Sequence, residues 1–182
     1  MPYRGEIFRI LNTGPENKFE IAERSPGVRI LITSNTHILL TREWRHECDA
    51  FDLRLPGGKV CNSLNAFELV EKNDLEDACR SAAQRELYEE TTINLVKQDF
   101  SLIHRSICGA TVKWDLWYYF VDLPDATMSR IEVSNLEGEE ISVQWFSFRE
   151  AAKLCLNGEI KEDRTAAVIL RFLHRSGTIL VN

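Results

Sequence analysis

The chain has 182 residues, 44% of them hydrophobic and 27% charged, with a formal net charge of −6 and a pI near 5.3. That composition argues against disorder and suits one domain with a substantial core. The acidic balance argues against broad nucleic-acid or anionic-membrane binding, yet leaves phosphate substrates open where a bound cation inverts the local charge.

In chain order, residues 1–5 open no apolar run of signal-peptide type, and no stretch is apolar enough to span a membrane. Residues 19–23 alternate as a strand does, and Ser25-Pro26-Gly27 breaks it. Residues 28–33 are β-branched and apolar, as in a buried strand. Asn35-Thr36 reads as a tight turn into a second strand over 37–41, continued by Arg42-Glu43-Trp44-Arg45. Residues 47–52 read as loop, and 53–55 as a short strand stopped by Pro56-Gly57-Gly58.

Residues 62–69 give no periodic signal. A helix begins after Asn73 or Asp74, either of which serves as N-cap, with Glu76 and Asp77 in its first turn. Its apolar stripe of Leu75, Ala78, Ala82 and Leu87, flanked by Cys79 and Ala83, is rich in small residues and predicts close packing on a sheet. The helix ends near Glu90, because Thr91-Thr92-Ile93 continues it poorly. Strands are predicted over 100–107, 111–122 and 143–148, an acidic loop over 137–140, and helices over 148–156 and 164–174. Interleaved strands and helices with hairpins predict a mixed sheet covered by helices. The five cysteines are scattered with no CxxC pair, which reads as reduced thiols in a cytoplasmic protein. The four histidines form no cluster.

One run stands apart. Glu86, Glu89 and Glu90 lie at i, i+3 and i+4, so they share one face and one turn at the C-terminal end of the predicted helix. Like charges there repel one another and oppose the helix macrodipole, each at a cost of about a few tenths of a kcal/mol. A hard divalent cation such as Mg²⁺ or Mn²⁺ resolves the conflict; a solvated acidic face is the alternative.

Leu55-Pro56-Gly57-Gly58-Lys59, followed by Arg85-Glu86-Leu87-Tyr88-Glu89-Glu90-Thr91-Thr92-Ile93, resembles the Nudix box. Three departures mark this chain: Asp77 stands for the box glutamate, Thr92 for its late glycine, and the interval from Gly58 to Asp77 is nineteen residues instead of six. The last places an insertion at 61–73, which forms a lid, a partner contact or a tolerated surface loop. The resemblance implies an α/β fold, the Nudix α/β/α sandwich with a mixed β-sheet, over 1–182, with 1–27 as a dimerisation or strand-exchange segment. Thr92 must close the helix without glycine's easy left-handed conformation, so the turn is expected to differ.

The resemblance also implies the chemistry, which is attack of water on phosphorus in a nucleoside diphosphate linked to another moiety. Glu86 and Glu90 are then the leading ligands for Mg²⁺ or Mn²⁺, with Glu89 third and the Gly57 carbonyl contributing from the backbone. Arg42-Glu43-Trp44-Arg45 and Glu137-Gly138-Glu139-Glu140 resemble elements of the ADP-ribose and nucleotide-sugar pyrophosphatases, which makes Glu137 the base candidate and Glu139 an extra ligand. Arg85 either binds phosphate or orients Glu89. Arg42, Trp44, Arg45, Arg54 and Gly58 are candidate substrate contacts, and Asp77 a carboxylate that is structural or supports the ligands from behind. The implied partner is a nucleotide-sugar small molecule, with no nucleic acid and no membrane, on a homodimer. Competing readings are a nucleoside triphosphate or dinucleoside polyphosphate hydrolase, and a catalytically silent ligand-sensing domain.

Overall fold

The computed structural model describes residues 3–46, 49–72, 74–125 and 141–179. Strand β1 (Phe8–Thr13), which the sequence reading did not anticipate, pairs antiparallel with β2 (Phe19–Arg24). The main sheet begins at β3 (Gly27–Ser34) and β4 (His37–Arg45), joined at Asn35-Thr36 as expected. β5 (Ala50–Arg54) starts earlier than predicted and excludes Leu55. Cross-strand pairing with Thr41 to Arg45 of β4 recruits residues 50–52, which look like loop in isolation.

The unassigned stretch is helix α1 (Leu64–Lys72), inside the insertion. The Ser63 hydroxyl accepts from the Ala66 N–H at its start, while Leu64 and Phe67, three residues apart, are almost wholly buried. α2 (Leu75–Thr91) follows, with the Asp74 side chain capping the Asp77 N–H. β6 (Ser101–Ser106) comes next, and the aromatic run 111–122 divides into β7 (Val112–Lys113) and β8 (Leu116–Asp122). The division is tertiary: β7 joins β2 in the small sheet, whereas β8 enters the main one. β9 (Ile141–Ser147), α3 (Phe148–Leu156) and α4 (Asp163–Arg175) complete the described chain.

The main sheet is mixed. β3 and β8 run parallel; the β4–β5, β4–β9 and β6–β8 pairs are antiparallel. Alternation along β3 and β8 sorts the core into two layers. Val28, Ile30, Ile32, Trp117 and Tyr119 meet Cys79, Ala82, Ala83 and Leu87 of α2. Leu31 and Tyr118 meet Ala151, Cys155, Val168 and Ile169 of α3 and α4. The result is an α/β/α arrangement, and the small residues of α2 let that helix sit close to the sheet.

The sheet contains a split. β9 lies along β4 from His37 to Glu43, so it occupies one edge of that strand. The other edge is shared, because β3 pairs only at Ile38 and His37 while β5 takes Thr41 to Arg45. Where β3 diverges, the turn after β5 fills the gap: the Val28 N–H donates to the Gly58 carbonyl at 2.9 Å and the Ile30 N–H to the Pro56 carbonyl at 2.8 Å.

The insertion is tied to the small sheet by charges. Arg9 pairs with the buried Glu23 and with Glu68 of α1, and Lys113 pairs with Glu23 at 2.5 Å and with Glu71 of α1 at 3.3 Å. Arg4 reaches Glu68 at 2.8 Å. The four described cysteines Cys61, Cys79, Cys108 and Cys155 are free thiols. Among the described residues no helix is long and apolar enough to cross a membrane.

Candidate metal and catalytic site

The last turns of α2 end over the split in the sheet. Glu90 faces inward and is buried, its carboxylate accepting from the Gly57 N–H at 3.2 and 3.3 Å. Burial raises its pKa well above the usual carboxylate range, and the charges of Glu43 and Glu86 push the same way; the Gly57 N–H and Arg29 oppose them. Glu86, one turn earlier, is also raised, first by burial and against the pull of Arg85. Its carboxylate lies against Gly58, where a Cβ would stand 2.4–2.6 Å from the carboxylate atoms.

The turn is shaped for this contact. Gly57 has φ +145, and a Cβ there would lie 2.2 Å from the Val28 carbonyl oxygen. Gly58 gives its carbonyl to Val28 and Pro56 gives its own to Ile30, whereas the Gly57 carbonyl between them accepts no hydrogen bond among the described residues. Two carboxylates and one unengaged carbonyl form an all-oxygen donor set, which suits a hard divalent cation. No three acidic, histidine or cysteine side chains among the described residues already converge as a ligand cluster. Arg85 holds Glu86 at 2.7 Å and approaches Glu89 at 3.8 Å.

Arg85 also donates to the Lys59 carbonyl at 2.8 Å, so it ties the end of α2 to the Gly-Gly turn and acts as an orienting group. Glu89 is the outermost carboxylate, its side chain 44% exposed. Asp77 sits at the other end of α2 and pairs with Lys97 at 2.9 Å. Glu86 lies nine residues further along the helix, about 13.5 Å at 1.5 Å per residue. Thr92 corrects the expectation of a changed turn: it adopts the left-handed conformation itself, φ 58 and ψ 6, and its N–H reaches the Tyr88 carbonyl.

The predicted substrate contacts separate into two groups. The Arg42 guanidinium lies 3.5 Å from the centre of the Phe51 ring, and Trp44, 38% exposed, meets the same ring edge-on. Arg45 lies 3.5 Å from Glu43. Arg54 is engaged elsewhere: it pairs at 2.8 Å with Asp52, which is buried and also accepts from the Lys161 N–H. Glu137 and Glu139 lie outside the described residues.

Two residues near the site were passed over in the sequence. Glu43 points to the α2 side of β4, as Leu39 does, and its carboxylate accepts from Thr41 at 2.7 Å. Its register opposite Ile141 puts it at the first residue after the 137–140 stretch. Alternation along β4 assigns its face but not its neighbours. Arg29 is buried in β3 among apolar residues; a charged residue inside a core strand is the signal that marks it.

A family model of the NUDIX domain matches residues 23–167 of the chain. No curated protein matches it.

Proposed function

Since the chain belongs to the Nudix family, whose members are hydrolases that generally use divalent metals, we propose that it cleaves the pyrophosphate bond of a nucleoside diphosphate linked to another moiety, with ADP-ribose or another nucleotide sugar as substrate. The observation that carries this reading is the buried Glu90 held by the Gly57 N–H over the split sheet, with Glu86 packed on Gly58.

Glu86, Glu90 and the Gly57 carbonyl would hold Mg²⁺ or Mn²⁺, with Glu89 the third carboxylate of that turn. Bound there, such a cation would supply charge neutralisation at the diphosphate and a lowered pKa for water. Arg85 fixes Glu86 relative to the turn. Glu137 is the proposed base and Glu139 a further ligand. Arg42, Trp44 and Phe51 form an aromatic and cationic platform suited to an adenine or sugar, and this platform supports the nucleotide-sugar reading. The exposed Tyr3, Ile7, Phe8 and Phe19 of the N-terminal segment support a homodimer formed through residues 1–27, and the free thiols support a cytoplasmic location.

The decisive test is a substrate panel of ADP-ribose, other nucleotide sugars, nucleoside triphosphates and dinucleoside polyphosphates with Mg²⁺ or Mn²⁺, with products identified by chromatography. Nucleotide-sugar cleavage abolished by Glu90→Gln is the expected result. Cleavage of triphosphates alone would refute the substrate assignment, and ligand binding without turnover would refute the enzymatic one. For the dimer, light scattering of a Phe8→Asp, Phe19→Asp variant should give a monomer; an unchanged mass relative to a dimeric parent would refute that interface.

A further inference from the structure

Among the described residues, Arg29 is a buried cation without an ion-pair partner. It lies in β3 opposite Tyr118 and is 8% exposed. Its single hydrogen bond runs from Nη1 to the Val28 carbonyl at 3.0 Å, and it makes no ion pair within 4.0 Å among the described residues. A guanidinium carries five N–H donors, and burying one without an anion is costly.

The nearby carboxylates have other partners. Glu90 accepts from Gly57, and Glu86 is held by Arg85. Glu162, at the head of α4, takes Arg164 at 2.8 Å and Thr165 at 2.6 Å. The charge of Arg29 is nevertheless felt by Glu86 and Glu90 on one side of the sheet and by Glu162 and Tyr118 on the other. Its backbone touches the metal-site turn directly, since a Cβ on Gly57 would lie 3.0 Å from the Arg29 Cα.

We propose that Arg29 is a substrate-binding residue whose guanidinium takes the phosphate oxygens of the diphosphate held at the Glu86–Glu90 site, an assignment that rests on the pyrophosphatase reading above. A planar fork of donors matches a phosphate face, and a buried position gives that contact little competition from water. The structural alternative, a counter-ion for Glu162, leaves unexplained why that carboxylate is satisfied by Arg164 and Thr165 while Arg29 has one hydrogen bond and no ion pair among the described residues.

The test uses inorganic pyrophosphate as probe on the full chain. Mn²⁺ binding alone, read by electron paramagnetic resonance, should change less than about twofold in Arg29→Met. Pyrophosphate binding to the Mn²⁺-loaded protein, read by calorimetry, should weaken tenfold or more, as expected for a lost charge-assisted contact. Arg29→Lys should recover part of the affinity. If Arg29→Met does not fold, the wild-type protein labelled with ¹⁵N-arginine decides: with Mg²⁺ as the diamagnetic metal, the Arg29 Nε signal, assigned by its loss in Arg29→Lys, should shift on adding pyrophosphate. Unchanged affinity in Arg29→Met, a static Arg29 signal, or no pyrophosphate binding by the metal-loaded wild type would each overturn the assignment. The substrate panel reports separately. Nucleotide sugars left intact while pyrophosphate binds through Arg29 defeat the substrate reading alone; cleavage with pyrophosphate binding indifferent to Arg29 defeats this inference alone.

Discussion

Replacing Gly57 and Gly58 one at a time by alanine separates the two jobs of the turn. At Gly57 the new Cβ meets the Val28–Arg29 peptide of β3, 2.2 Å from the Val28 oxygen, 2.9 Å from the Val28 carbonyl carbon and 3.0 Å from the Arg29 Cα, at a φ of +145. The φ alone costs about 1–3 kcal/mol for a residue with a side chain. Relief of the clash requires the turn to move off β3, which weakens the Val28–Gly58 and Ile30–Pro56 hydrogen bonds at about 1 kcal/mol each. The expected loss is therefore about 3–5 kcal/mol, a large share of the 5–15 kcal/mol typical of a folded domain, and a fall in Tm of about 6–20 °C for a chain of this size. At Gly58 the three atoms nearest the new Cβ are the carboxylate end of Glu86, and that side chain can swing aside. Stability should then change by less than about 1 kcal/mol, within the range for a tolerated substitution, while Mn²⁺ affinity and hydrolysis fall at least tenfold. Urea denaturation with chelator present measures the first effect without metal, and Mn²⁺ titration measures the second. A Gly57→Ala protein as stable as wild type, or a Gly58→Ala protein with unchanged metal affinity, would show that the turn is not held as described.

Three further outcomes are expected. Burial and the charges of Glu43 and Glu86 raise Glu90 above its ordinary value of 4.5, so the metal-free folded state holds a proton that the unfolded chain releases. The stabilisation is full below about pH 4.5 and is lost as pH rises through the raised value; melts of chelated protein showing no such decline would contradict it. Glu23→Gln strips Arg9 and Lys113 of a partner that is only 1% exposed, and should cost about 2–4 kcal/mol given the partial exposure of the cations. Hydrogen exchange should rise in both the small sheet and α1, and protection unchanged in α1 would show that the ion network does not anchor the insertion. Thr92→Gly relieves a β-branched residue from the left-handed conformation and should stabilise by about 0.5–1 kcal/mol after the added freedom of the unfolded chain is counted; a lower denaturation midpoint would contradict this.

Local signals carried the reading where the physics is local. The small-residue stripe of α2 and the i, i+4 spacing of Glu86 and Glu90 are helix periodicity, and the Pro-Gly-Gly stop is turn chemistry. α3 matched its expected span, and in the structure Ser147 and Glu150 form a reciprocal cap at its start. α1 escaped because its anchor is remote: its buried residues number few, and its charges answer Arg4, Arg9 and Lys113 far along the chain. β7 and β8 read as one strand because the change of sheet at Trp114-Asp115 is imposed by β2 and β3, not by the residues themselves.

By itself, then, the sequence determined the carboxylate helix, the Gly-Gly turn and the layered alternation of the strands, since each depends on spacing within one element. Tertiary structure decided that β3 and β4 part after two residue pairs and that the turn enters the opening. It also decided that Glu43 and Arg29 come to the site from strands where neither spacing nor composition links them to α2. Period two fixes which face of a strand a side chain takes, whereas the neighbours it meets there are fixed by which edges pair.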